Sequence, residues 1–471
     1  MRFSLLIVLL TVSVLWSNAA FSQNKLSVLR AGGKSLSIRI DTDYYPNRWT
    51  IDPSVKPDRF DVSIKSKPVR VAFIAEKDSV VREIKANDVV DFIVLTPAGD
   101  SAYTQIRGLR YVEPALFTTS YNKAHTGKTF VEIPETYELI NTVFALTKAA
   151  QQNDDLIEKN TPYYKDVIAH FSAYKNEPIV TVMDSILTKN ESQYFPLKMD
   201  AYAFSLDRKG IIQQSSVYDR VAWGKENSLR PYVLPLQRFA AKTKFMDFYR
   251  KHQPYYNQLI RAYQDSLDVA SMQTWLNVNF PGTHYDSFKI IFSPLVSGNQ
   301  SANWFENNGF REAQAHVNFP FPNKSDADFS AKAVQVRNGN IVFTELNHAF
   351  INPEADKAQY RKALTSALAK RDAWIDERKP AKNYDNTYAC FNEYMNWGLV
   401  SLRYVDFAPK NELPALLKRI ETMMVNYRGF KKFAEFNQFL VPLYQHRHTG
   451  TTVADLYPQI INWFETNKQQ N

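Results

Sequence analysis

The sequence predicts an α+β protein, in which a small N-terminal antiparallel β domain precedes a mostly α-helical part. Three observations support this prediction. Short apolar runs that alternate with polar residues recur between residues 25 and 130, as they do in strands. Near Pro134 the apolar spacing changes to that of helices, and it returns in most later segments. With 471 residues and 45% hydrophobic content, the chain can form two or three packed domains.

Residues 1–22 are predicted to be a secretory signal peptide that is cleaved after Ser22. Its apolar run, Leu5 to Trp16, is too short to span a bilayer comfortably. No later stretch has the length of a membrane span, so we expect a mature chain without one, either secreted or periplasmic. The only cysteine, Cys390, lies far from the cleavage site, so no lipid anchor is predicted there.

The formal net charge of +9 hints at an anionic partner. The lysine and arginine residues are nevertheless spread along the chain, without a long basic block. Nucleic acid is therefore not a predicted partner.

The N-terminal part contains several short strand patterns, among them Val69–Ile74, Val80–Ile84 and Val89–Leu95. Polar or turn-forming residues separate them, which is typical of a small sandwich or barrel. This part holds no constellation of catalytic residue types. We therefore expect residues 23–132 to form a β-sandwich-like accessory domain.

The middle of the chain, residues 133–270, is predicted to be helical. Apolar residues recur there at helical spacing, for example in the stretches 163–174, 234–250 and 255–267. From Trp275 onward the pattern is mixed. Phe288–Leu295 is typical of a strand, and a polar loop follows it at 296–303.

The most informative stretch is Ile341–Pro353, which is predicted to be a helix. Thr344 and His348 would lie on one face, because positions four apart in a helix are neighbours, and Glu345 would lie beside them. The zincin motif His-Glu-x-x-His has this layout, with two imidazoles for zinc and a glutamate as general base. Here Thr344 replaces the first imidazole.

A second helix is predicted at about 383–405, and it contains Glu393. In zincins of the glutamate-ligand type, a glutamate on a following helix is the third zinc ligand, so Glu393 is the candidate. A carboxylate in an apolar helix requires a partner. The alternative to a metal is an ion pair with a residue such as Arg403 or Lys382.

The region from about Trp275 to Phe464 resembles a family of secreted, zincin-like bacterial proteins of undetermined function. The site helix of that family reads His-Glu-Phe-x-His-x-Phe-x-Asn-Pro. The positions that match are Glu345, His348, Phe350, Asn352 and Pro353. Leu346 is a close substitute, and Thr344 departs from the pattern. The resemblance implies a gluzincin-like peptidase fold in residues 271–471, with His348 and Glu393 as metal ligands and Glu345 as the base.

The sequence is compatible with three functions. The first is a metallopeptidase homologue with weak or lost activity that still binds peptides, because a threonine hydroxyl is a poor zinc ligand and argues against zinc. The second is an active hydrolase whose iron or manganese site uses Glu345, His348 and Glu393, with Asn396 nearby. The third is a protein without enzymatic activity, in which these groups form a buried polar network.

Other residues are candidates for the walls of the cleft. His284 and Tyr285, just before the predicted strand, could donate hydrogen bonds to an oxyanion. Asn392 and Asn396 flank Glu393 on its helix. The predicted ligand is a peptide or protein segment, since in zincins an extended peptide pairs with the strand that precedes the site helix.

Overall fold

The computed structural model describes residues 26–207, 209–322, 324–384 and 386–468. These residues form two compact units, which divide between Val112 and Glu113. The predicted signal peptide, residues 1–22, lies outside the described residues. Within the described ranges, no helix combines the length and the apolar character that crossing a membrane requires.

From residue 26 onward, the first unit contains eight strands in two four-stranded sheets. The strands are β1 (Ser27–Arg30), β2 (Ser35–Ile40), β3 (Asp43–Thr50), β4 (Asp58–Ile64), β5 (Val69–Ile74), β6 (Ser79–Ile84), β7 (Val89–Leu95) and β8 (Ser101–Arg110). One sheet has the order β3-β2-β5-β6 and is antiparallel throughout. The other has the order β1-β7-β8-β4 and is mixed, because β1 pairs with β7 and β4 with β8 in parallel.

Apolar side chains from both sheets of the first unit share one core. Phe73 is fully buried at its centre, with its ring centroid 5.0 Å from that of Phe92 and 5.3 Å from that of Phe60. The alternation of apolar and polar residues that predicted these strands supplies this core, because alternate side chains point to the same face. The predicted α+β class, with an antiparallel sheet at the N-terminal end, is confirmed.

The second unit is mostly helical. Its helices as far as residue Asn279 are α1 (Thr119–His125), α2 (Glu135–Ala145), α3 (Lys148–Gln152), α4 (Pro162–Phe171), α5 (Pro178–Lys189), α6 (Tyr194–Asp200), α7 (Val233–Thr243), α8 (Phe245–Lys251), α9 (Gln253–Arg261) and α10 (Val269–Asn279). Those after it are α11 (Ala331–Asn338), α12 (Asn340–Ala355), α13 (Ala358–Ala367), α14 (Thr387–Phe407), α15 (Leu413–Thr422), α16 (Phe433–Gln445) and α17 (Val453–Thr466).

The strands of the second unit are β9 (Lys128–Glu132), β10 (Phe204–Leu206), β11 (Ile212–Gln214), β12 (Ser287–Phe292), β13 (Ser301–Asn307) and β14 (Phe310–Val317). Residues 113–132, assigned to the N-terminal domain on sequence, belong here instead, because β9 pairs with β12. The helical stretch 133–270 and the region 271–471 also share one hydrophobic core rather than forming separate bodies.

The central sheet has the order β13-β14-β12-β9. β12 is parallel to both neighbours and is buried at every position, so it does not line a cleft as the sequence suggested. The edge strand β13 is antiparallel to β14. Side chains cap part of its outer edge: Trp223 Nε1 donates to Ala302 O at 3.0 Å, and the side chain of Asn303 accepts from Trp304 N at 2.9 Å.

One face of the central sheet is apolar and carries α12. The Phe350 ring of α12 stacks on Phe288 of β12, with centroids 6.3 Å apart and planes 6° apart. The opposite face is polar but buried. There the ammonium of Lys289 lies 5.1–5.7 Å from the ring centroids of Tyr121, Phe130, Tyr202 and Tyr218.

Helix α14 packs across α12 and brings the two predicted site segments together. Asn386 caps α14, where its side chain accepts a hydrogen bond from Ala389 N at 2.8 Å. Between the helices, Asn347 Nδ2 donates to Asn396 O at 3.2 Å. The predicted helix 341–353 lies within α12, and most of the predicted helix 383–405 lies within α14.

Candidate functional site

A cleft of about 1040 Å³ lies where α12 and α14 meet. Four sequence-predicted residues line it together with Thr344: Glu345, His348, Glu393 and Asn396. The loop Gly298–Gln300, just before β13, forms part of another wall. The basic residues Arg378, Lys379 and Lys382 also border the cleft, as do the acidic residues Asp155 and Glu191.

Thr344 does not direct a donor into the cleft. Its side chain is buried, and its hydroxyl donates to Ile341 O of the preceding turn at 2.8 Å. This back-bond is common for threonine in a helix. The hydroxyl at the position of the missing imidazole is thus used within α12.

Glu393 is held by an arginine that the sequence interpretation did not identify. Arg428 Nη1 lies 2.6 Å from Glu393 Oε1, and Trp397 Nε1 donates to the same oxygen at 3.0 Å. Burial raises the pKa of Glu393, but Arg428, His348 and Asn396 outweigh it, so the pKa lies below its ordinary value. Glu393 is therefore a buried carboxylate in its charged form.

Aromatic rings enclose Arg428. Its guanidinium carbon lies 5.5–5.6 Å from the ring centroids of Tyr384, Trp397 and Phe430, and Nη2 donates to the Tyr384 hydroxyl at 2.6 Å. The predicted partners of Glu393 lie elsewhere: Arg403 donates to Val336 O at 2.8 Å, and Lys382 borders the cleft.

His348 joins the same cluster. Its Nε2 lies 3.0 Å from Asn396 Nδ2 and 3.9 Å from Glu393 Oε2. The side chain of His348 is 22% exposed, so one face remains open to the cleft.

Glu345 has a different environment from Glu393. Among the described residues, none makes a hydrogen bond or ion pair with its carboxylate. Desolvation and, to a smaller extent, the charge of Glu393 raise the pKa of Glu345, whereas His348, Lys198 and Arg428 lower it, and the net result is a pKa of about 7. A cleft-facing carboxyl with a pKa near neutrality is suited to accept and release a proton.

Lys198 of α6 is the second charged residue that the sequence interpretation missed. It is fully buried, and its Nζ donates to Asn299 O in the loop that borders the cleft. Burial lowers the pKa of Lys198 to about 7, although Glu345 acts to raise it. No local pattern marks it, because α6 meets the cleft only in the folded chain.

The other predicted cleft residues lie outside the cleft. The imidazole of His284 is exposed and lies 3.5 Å from Asp286. Tyr285 is buried, and its hydroxyl donates to Ala349 O at 2.9 Å. Asn392 is buried on α14 away from the cleft lining. Within the described residues, no group of three histidine, cysteine or acidic side chains is arranged to hold a metal ion.

Residues 130–463 match one family model, described as "Domain of unknown function (DUF4932)". The match includes α12, α14 and the whole central sheet except the start of β9. No curated protein and no solved structure matches the chain.

Proposed function

The chain belongs to the DUF4932 family, and we propose that it is a secreted, zincin-like protein that binds peptides in a cleft with an incomplete zinc site. In this proposal the gluzincin-type architecture is retained, and peptidase activity is weak or lost. The ion pair of Glu393 with Arg428, 2.6 Å apart, carries the proposal. It neutralises the carboxylate that would be the third zinc ligand.

The donor set suits a zinc ion poorly. Catalytic zinc usually has three protein ligands, most often imidazole, carboxylate or thiolate. Here the first position is Thr344, and its hydroxyl is bonded within its own helix. A zinc ion bound to Glu393 would also lie close to the Arg428 guanidinium, and the two positive charges would repel. These features support the proposal that the cleft has lost the ability to bind a catalytic zinc ion.

The cleft itself suits a polypeptide. Its volume of about 1040 Å³ exceeds that of a single side chain. Lys379 and Lys382 border it from one segment of the chain, whereas Asp155 and Glu191 border it from two others. Charged groups of both signs can pair with an extended peptide, and Asn396 offers a buried amide oxygen that has no partner among the described residues.

Two alternatives each have one supporting observation. The unpaired carboxylate of Glu345, with its pKa of about 7, favours an active hydrolase that uses a non-standard metal site of Glu345, His348 and Glu393. The hydrogen bonds that join His348, Asn396 and Glu393 favour a non-enzymatic protein with a structural polar network.

Metal analysis and peptide assays on one set of variants separate these functions. The mature protein is compared with Thr344→His and with Thr344→His combined with Arg428→Met. We expect substoichiometric zinc in the wild type and a marked gain in the double variant, because that variant regains an imidazole and loses the competing cation. Thr181→His, which adds an imidazole at an exposed position of α5, is the matched control.

The same proteins are then mixed with a fluorescent peptide library. We expect the wild type to bind peptides without cleaving them. Stoichiometric zinc, iron or manganese in the wild type, with cleavage that disappears in Glu345→Gln, would show instead that the chain is an active hydrolase. Absence of binding to any peptide would favour the structural network.

A further inference from the structure

A second cavity, here called the side pocket, adjoins the cleft. Its volume is about 680 Å³. Ile341, Trp397 and Met423 line both cavities. Ile341 lies one turn before Glu345 on α12, and Trp397 lies one turn after Glu393 on α14, so the helices that form the cleft also form the side pocket.

The side pocket has both apolar and polar walls. The apolar and aromatic part is formed by Phe319, Phe321, Ile341, Trp397, Ile420 and Met423, and asparagine, arginine and other polar side chains line the rest. Trp397 and Ile420 are buried, whereas Ile341 and Met423 are partly exposed. A flat apolar group would gain the most binding free energy from these apolar walls, because it buries a large apolar area against them.

Two amide groups within these walls have unmatched oxygens. Asn340 is 8% exposed, and its Nδ2 donates to the Tyr404 hydroxyl at 2.6 Å, while its Oδ1 has no partner among the described residues. Asn318 Oδ1 is likewise buried without a described partner. If the Asn340 amide were rotated so that Oδ1 and Nδ2 exchanged places, the Tyr404 hydroxyl could donate to Oδ1. The amide would then have an unmatched NH2 group instead of an unmatched oxygen.

The charges around the side pocket balance. Arg337 and Arg419 both line it, each with its guanidinium carbon 5.8 Å from the Phe329 ring centroid. Asp326 forms an ion pair with Arg337, and Glu158 lines the pocket as a second carboxylate. A strongly acidic or basic ligand group would add an uncompensated charge here, which favours a neutral ligand group.

We propose that the side pocket is a specificity subsite of the cleft that takes a neutral aromatic side chain with a hydrogen-bonding tip, tyrosine or tryptophan, from the bound peptide. The ring covers the apolar walls, and its hydroxyl or indole N–H reaches the unmatched amide of Asn340. Buried polar groups of this kind discriminate against ligands that leave them unpaired. This inference rests on the proposed peptide-binding function.

End-blocked fluorescent pentapeptides with alanine at every position except the third test the proposal. The third residue is tyrosine, tryptophan, phenylalanine, leucine, glutamate or alanine, and binding to the full mature chain is measured by anisotropy. We expect the tyrosine and tryptophan peptides to bind about tenfold more tightly than the leucine peptide. The tyrosine peptide should also bind several-fold more tightly than the phenylalanine peptide.

The variant Asn340→Leu should abolish the difference between tyrosine and phenylalanine while it leaves phenylalanine binding in place. Asn257→Leu, at an exposed position on α9, is the matched control and should keep the difference. If Asn340→Leu does not fold, Ile420→Trp, which fills the side pocket, should reduce tyrosine binding to the level of alanine.

Two results would overturn the inference in distinguishable ways. Peptides that bind equally well whatever the third residue, or best with glutamate, would refute the subsite and leave the peptide-binding function standing. Binding of no peptide at all would refute both.

Discussion

Arg428 determines the electrostatics at the base of the cleft. Its guanidinium neutralises the buried carboxylate of Glu393, and three aromatic rings hold it in place. A buried ion pair adds little over an apolar pair, but removal of one partner leaves the other charge without compensation. The losses of unfolding free energy from replacing Arg428 and from replacing Glu393 should therefore not be additive.

We predict that Arg428→Met lowers the free energy of unfolding by about 3–5 kcal/mol, because it leaves Glu393 charged and buried. Urea denaturation at pH 7 measures the change. The double variant Arg428→Met with Glu393→Gln should recover much of the loss. A loss from Arg428→Met below about 1 kcal/mol, the range of exposed ion pairs, would contradict the prediction.

Glu345 should give the cleft a pH-dependent stability. Its pKa is raised from the model-peptide value of 4.5 to about 7 in the folded protein. Between these values the unfolded chain loses the proton while the folded chain keeps it, so wild-type stability falls as pH rises through this window. As the pH rises from 4.5 to 7, we expect the free energy of unfolding of Glu345→Gln to increase by about 1–3 kcal/mol relative to that of the wild type.

Denaturant titrations of both proteins at several pH values check this prediction. Glu83→Gln, at an exposed position of β6, is the control, since a surface change should have little effect at any pH. A difference between Glu345→Gln and wild type that stays constant from pH 4 to 8 would mean that Glu345 is not desolvated.

At the scale of elements, the position of α12 depends on its contact with the central sheet. Phe350 is fully buried, and its ring lies 5.5 Å from Tyr285 and 6.3 Å from Phe288. This contact fixes the helix that carries Glu345 and His348. The apolar face of the sheet thus acts as the support for the site.

We predict that Phe350→Ala costs about 3–5 kcal/mol of unfolding free energy because it leaves a cavity between α12 and β12. Phe350→Leu should cost less, about 1–2 kcal/mol, since it keeps most of the volume. Thermal and urea denaturation of the two variants give the comparison. Equal small losses in both would show that α12 is held by other contacts.

The sequence allowed α12 and α14 to be predicted, because helical periodicity and the Glu345–His348 spacing are local signals. It also allowed Glu393 to be identified as a buried carboxylate that needs a partner. It did not allow Arg428 or Lys198 to be identified, since both come from distant elements with no motif around them. The amide of Asn340 was missed for the same reason: an unmatched polar atom exists only once its surroundings are packed.

At the scale of the whole molecule, the two compact units have separate hydrophobic cores. We predict that Phe73→Ala lowers the melting temperature of the first unit by roughly 10 °C or more and leaves the transition of the second unit unchanged. Differential scanning calorimetry of the full chain resolves the two transitions. If both transitions moved together, the units would unfold as one cooperative body.

The capped edge of β13 has a consequence for behaviour at high concentration. An edge strand normally offers a row of free amide and carbonyl groups, to which the same strand of another copy can add. Trp223 and Asn303 occupy some of these groups. We therefore expect the central sheet to resist growth into fibrils at this edge, so that the colloidal stability of the protein does not depend on its net charge alone.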